Sequence, residues 1–124
     1  MTHILASDAP RFQIPGAEFI GLAAPSRGAK ETAVWRLRLS PGSAPTVHRL
    51  TREEVFVALA GAARATLAGK SFDLTAGAAL IVPPDTDFAL EAVGEEPFEA
   101  VVAMPVGGMA RFAEGAAFTP LWAA

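Results

Sequence analysis

The stretch Pro41–Gly61, PGSAPTVHRLTREEVFVALAG, decides how the rest of the chain is read. It opens on the turn signal Pro41-Gly42 and closes on Gly61, where a strand should end. Between them a segment carrying His48 runs through the carboxylate pair Glu53-Glu54 into the apolar run Val55 to Ala60. Adjacent strand residues face opposite sides, so only one of the two glutamates can point inward. Glu53 reads as the less favoured inward group, with Arg49 and Arg52 as candidate ion-pair partners on the outer surface. His48 and Leu50 share a face by the same rule. This is how a small β-barrel presents a few polar groups to its interior.

Outward from this stretch the pattern is all-β. Eleven Gly and ten Pro punctuate the chain, and short runs of period two lie between them. Strands are predicted over 11–14, 18–23, 32–39, 46–50, 54–60, 63–67, 71–74, 78–82, 87–93 and 98–104. The clearest is 32–39, with Trp35, Leu37 and Leu39 on one face and Arg36 and Arg38 on the other. Ala68-Gly69-Lys70 reads as a hairpin turn. Asp85 and Asp87 read as turn residues after Pro83-Pro84. No window holds a 3.6 period long enough for a helix. The tail 109–124 has little periodicity but carries Phe112, Phe118 and Trp122. Leaving those rings exposed would invite aggregation, so the tail is expected to pack over the barrel or a partner chain. About ten short antiparallel strands in 124 residues imply a sandwich or barrel, read as one domain over 1–124. Its core spans about 33–104, with N-terminal strands in 11–23.

Composition narrows function by exclusion. The net charge is −3, with no basic patch for nucleic acid or anionic lipid. Cysteine is absent, which removes thiolate nucleophiles, disulfides and iron–sulfur ligation. No apolar run approaches the ~20 residues of a membrane helix, and the N-terminus lacks a secretory signal pattern. The expected location is cytoplasmic, and the expected partners include neither nucleic acid nor membrane.

The central stretch resembles the first motif of the cupin superfamily: Gly, five residues, His-x-His, three or four residues, Glu, six residues, Gly. Gly42, His48, Glu54 and Gly61 match it, and Leu50 stands in place of the second His. The second cupin motif runs Gly, five residues, Pro-x-Gly, two residues, His, three residues, Asn. Gly77 and Pro83 match, while Asp85, Phe88 and Ala92 replace the Gly, His and Asn. The chain also looks like a subgroup of small bacterial single-domain cupins of uncharacterised function. Those carry a His-x-Leu-Thr-x-Glu-Glu core and end in Phe-Thr-Pro-x-Trp, as at Phe118–Trp122 here. The resemblance implies a double-stranded β-helix, or jelly-roll, barrel that is commonly a homodimer. It implies no single activity, because this fold hosts enzymes, sensors and storage proteins.

A typical cupin binds a divalent metal through three His and one Glu, a donor set suited to Fe, Mn, Ni or Zn. Only His48 and Glu54 match, and the other histidine, His3, lies near the N-terminus. No cofactor is therefore expected, and any metal would rest on His48 and Glu54. The replacements make the inner wall more apolar. The expected pocket is formed by Trp35, His48, Leu50, Glu54, Phe88 and Met104. Two readings of it stay open, a small-molecule site and a barrel packed shut by its own side chains. The leading functional expectation is a homodimeric protein that binds a small, partly apolar ligand. The alternative is an enzyme, either with an incomplete metal site or metal-free. In the metal-free case His48 and Glu54 are the candidate acid–base pair of an isomerase, cyclase or dehydratase.

Overall fold

A computed structural model describes residues 2–124 of the chain. Among the described residues eleven antiparallel strands form two sheets, and helix is confined to three short 3-10 turns. In chain order the strands are β1 (Arg11–Ile14), β2 (Ala17–Ala23), β3 (Thr32–Leu39), β4 (His48–Leu50), β5 (Glu54–Ala60), β6 (Ala62–Leu67), β7 (Lys70–Thr75), β8 (Ala79–Val82), β9 (Phe88–Val93), β10 (Phe98–Pro105) and β11 (Ala110–Phe112). The first sheet has the order β1-β2-β3-β10-β5-β8, and the second has β11-β4-β9-β6-β7. Two antiparallel sheets in these strand orders are the jelly roll that the cupin resemblance implies.

Alternation builds the core. In β3, Ala33, Trp35 and Leu37 are buried while Arg36 and Arg38 are exposed. β10 buries Phe98, Ala100, Val102 and Met104 with intermediate residues between them. Alanine is used as an interior residue, at positions 33, 58, 63, 65 and 100. A small side chain there lets the two sheets approach closely while Trp35, Phe56, Phe88 and Phe98 fill the space between them.

Two turns show why particular residues stand where they do. Ala68 and Gly69 both have positive φ, 49° and 80°, which is the twist a two-residue hairpin needs between β6 and β7. Gly61 has φ of 70°, and a side chain there would collide with the Pro97 carbonyl oxygen. Glycine is thus required twice over at the end of the central stretch.

The chain ends are more ordered than their sequence pattern suggests. The tail contributes β11, paired to β4, and Phe118 bridges back to Ala110. Period two was invisible there because β11 is only three residues long. Trp122 stacks on Phe19 of β2, with centroids 3.6 Å apart and planes 3° from parallel. Arg27 Nε donates to the Leu22 carbonyl, and the Ser26 hydroxyl donates to the Ala124 carbonyl. The aromatics of the tail therefore pack over the barrel, against β2 and β4. Among the described residues no helix is long and apolar enough to cross a membrane.

Candidate functional site

The two sheets do not pack shut. Between them lies a cavity of about 270 Å³. The first sheet contributes Trp35 from β3 and Glu54 and Phe56 from β5, and the second contributes His48 and Leu50 from β4 and Phe88 from β9. The rim is formed by Ile14, Phe112 and Phe118, each about half exposed. Of the residues expected to line a pocket, Trp35, His48, Leu50, Glu54 and Phe88 border this cavity, and Met104 does not. Its side chain is directed inward on β10, but it is spent against Gly108, where any side chain would strike its sulfur. Parity gave its direction, but position along the strand was not legible from parity. The rim residues Ile14, Phe112 and Phe118 went unrecognised as lining. They come from the first strand and from a tail without visible periodicity.

Glu54 is the first residue of β5 and opposes Val82 of β8. It is 4% exposed, and it is the buried charged or polar residue of the interior, whereas its neighbour Glu53 is exposed. Among the described residues no donor holds its carboxyl, and its oxygens keep access to the cavity. Burial alone pushes its pKa up to about 8. At neutral pH it is a carboxylic acid, with an O–H to donate.

His48 opens β4 and opposes Phe88 of β9. Its Nδ1 lies 2.9 Å from the Thr46 carbonyl oxygen. A carbonyl can only accept, so Nδ1 carries the proton. In the neutral ring this leaves Nε2 as a lone-pair acceptor. Burial lowers the His48 pKa, and the bond to Thr46 only partly opposes that. The site at neutral pH therefore pairs an acid that donates with an imidazole that accepts. Neither carries a formal charge.

The charged residues flanking His48 and Phe88 in sequence are kept outside. Arg49 does not pair with Glu53, contrary to expectation. Its Nε donates to Asp87 Oδ1 at 2.6 Å and holds that carboxylate below its usual range. The pair ties β4 to the loop before β9, because Asp87 lies one residue from Phe88. Asp85 adopts a positive φ of 54° at the position of the motif glycine, a conformation Asp tolerates better than most residues.

Residues 35–104 match the sequence model of the cupin domain, more than half of the chain. The chain belongs to the cupin family. No curated protein matches this cupin significantly in sequence. Among solved structures it is similar to the polyketide cyclase RemF from Streptomyces resistomycificus, with a TM-score of 0.75 at 18% identity over 94% of this chain and 87% of that one. It is similar to a variant of oxalate decarboxylase from Bacillus subtilis, at 0.74 and 22%, over 85% of this chain and 29% of that one. It is also similar to a variant of salicylate 1,2-dioxygenase from Pseudoaminobacter salicylatoxidans in complex with gentisate, at 0.72 and 19%, over 86% and 31%. The cupin spans about a third of the length of the dioxygenase and the decarboxylase. At these identities the likeness is one of fold.

The residues present do not fit the metal that the cupin motifs imply. Of the four motif positions, two hold Leu50 and Phe88, which have no donor atom and are both buried. Among the described residues no three His, Asp or Glu side chains come together in a way that could hold an ion. Two protein ligands fall short of the three that catalytic metal sites usually keep.

Proposed function

We propose that this cupin binds a small, largely apolar organic molecule between its sheets, held in orientation by Glu54 and His48. The observation that carries this reading is the carboxyl of Glu54, buried without a protein partner yet open to the cavity. A carboxyl without a protein partner at the cavity wall leaves its hydrogen-bonding capacity to a ligand. The cavity is only slightly smaller than the ~300–1,000 Å³ of typical small-molecule sites. The test is ligand-induced quenching of Trp35 and Trp122, both of which border the cavity. A panel of small organic compounds should yield saturable quenching and a raised melting temperature. A panel that changes neither up to millimolar concentration would leave the barrel as a packed scaffold.

A second reading is supported by the complementary protonation of the pair. A neutral Glu54 can give a proton while Nε2 of a neutral His48 takes one. That division of labour suits metal-free isomerisation, cyclisation or dehydration. The similarity to a polyketide cyclase of nearly equal length is compatible with it. Turnover that Glu54→Gln abolishes while binding survives would put this reading ahead.

We further propose that two copies associate. The rings of the chain ends are largely absorbed by the cavity and its rim. One cluster of exposed apolar side chains away from the cavity is Val57 and Leu59 on β5 with Ile81 on β8, on the outer face of one sheet. Light scattering at micromolar concentration should give the mass of a dimer.

A further inference from the structure

The lining of the cavity carries information about the charge of what enters it. Seven of the chain's ten Phe and Trp residues border it. Among the described residues no Lys or Arg does. The arginines are directed elsewhere. Arg36 and Arg38 are exposed on the outer face of β3, and Arg49 is committed to Asp87. Arg64 reaches toward Glu91, 3.8 Å away, so the one other acidic residue on the lining already faces a cation. What remains inside is a buried carboxyl without a partner and one imidazole.

We propose that the cavity selects uncharged aromatic molecules bearing a hydroxyl or carbonyl group, and rejects carboxylates. This rests on the small-molecule reading above and adds a substrate class to it. A carboxylate entering the cavity would leave water without meeting a cation, and would lie beside a second carboxyl. A protonated amine would also lose its hydration, and would gain only an ion pair that roughly breaks even on burial. An uncharged ligand avoids both costs. Its oxygen accepts from the Glu54 acid, or its hydroxyl donates to the imidazole nitrogen that Thr46 leaves free. Its ring meets Trp35, Phe56, Phe88 and the paired rings of Phe112 and Phe118, whose centroids lie 5.6 Å apart. Such rings favour offset or edge contacts with a flat guest. The inference also separates this chain from the salicylate dioxygenase whose bound gentisate is a carboxylate, although the fold is shared.

The test is a size-matched series bound to the intact protein at pH 7: 1-naphthol, 1-naphthoate and protonated 1-naphthylmethylamine, followed by tryptophan quenching and calorimetry. Naphthol is expected to bind, with naphthoate weaker by roughly 100-fold or more, since burying an unpaired charge is the dominant cost. The amine should fall between them or below. Naphthoate binding within a factor of three of naphthol would overturn the charge inference and leave the pocket reading intact. The amine binding tightest would overturn it as well, and would make Glu54 an anionic receptor. None of the three binding would remove the pocket reading and this inference together. The expected selectivity should persist in Glu54→Gln, which keeps a hydrogen-bond donor and no charge. Collapse of the naphthol-over-naphthoate preference in that variant would assign the effect to the carboxyl alone rather than to the absence of cations.

Discussion

The ring of His48 lies 4.2 Å from the ring of Phe88, centroid to centroid, tilted by 52°. The two are cross-strand partners between β4 and β9. Phe88 occupies the place of the third motif histidine, so the ring that should share a metal with His48 instead packs against it. Phe88 packs in turn edge-on against Phe56. An apolar cluster occupies one side of the positions where the cupin motifs carry ligands.

That exchange is reversible by design. Leu50→His together with Phe88→His would place two imidazoles beside His48 and Glu54, on the face where all four already border one cavity. Nickel or zinc affinity, measured by calorimetry, should rise at least about tenfold. The gain is limited because neither new histidine has an outer partner to orient it. The unmodified protein should hold less than one equivalent of metal after dialysis against a chelator. One equivalent of iron, manganese, nickel or zinc retained through that treatment would contradict the donor analysis.

The buried acid gives a pH signature. Glu54 has a folded pKa above its unfolded value of ~4.3, so its contribution to stability is complete below ~4.3 and declines as pH rises toward about 8. His48 has a lowered pKa, so its loss of stability appears below ~6.5 as the unfolded imidazole protonates. Between pH 6.5 and 8 the Glu54 slope outweighs the last of the unfolded imidazole's titration, and urea midpoints should fall by an equivalent of about 1 kcal/mol. Glu54→Gln should flatten that slope. An unchanged slope in the variant would place the titrating group elsewhere.

How much of this was legible beforehand varies with the kind of signal. Parity in β3 carried over directly to the structure, because a strand has only two faces, whereas the inward glutamate was picked out by the cupin spacing at Glu54, since residues 55–60 are apolar on both faces. The Gly42-to-Gly61 spacing carried the barrel for the same reason, since its glycines mark positive-φ turns at fixed distances. Met104 shows the limit. Which face it takes follows from period two, whereas its neighbours depend on where the strand crosses the other sheet. β11 and the rim residues were missed because a three-residue strand has no period, and because its partner β4 lies far away in sequence. The state of Glu54 also lies beyond sequence, as it depends on the absence of donors across the sheet gap.

The docked tail should be measurable as stability. Trp122 is partly buried and stacks on Phe19, with Phe12 tilted against it at 6.5 Å. Trp122→Ala should lower stability by about 2 kcal/mol in urea denaturation. It should also weaken aromatic probe binding, because Trp122 borders the cavity. A change below ~0.5 kcal/mol would mean that the tail is only loosely attached.

Two glycines offer a matched comparison. Gly61→Ala combines positive φ with a collision at the Pro97 carbonyl and should cost about 3 kcal/mol. Gly42→Ala has a similar φ of 82° but open space around it, and should cost about 1 kcal/mol. Equal losses at the two sites would show that the close approach to Pro97 contributes nothing.

The place of β10 has a further consequence, for the order in which the chain can fold. β10 lies between β3 and β5, with Val102 opposite both Trp35 and Phe56. Every strand between β3 and β10 in sequence is made before that slot can be filled. Loop closure must therefore precede most of the pairing that compensates for it, the circumstance that makes β-rich topologies slow to form. Until β10 arrives, β3 and β5 each present an unpaired edge beside a hydrophobic face. The same slot accepts β10 from another copy as readily as its own, so refolding at high concentration should favour strand-exchanged oligomers over the correctly closed chain.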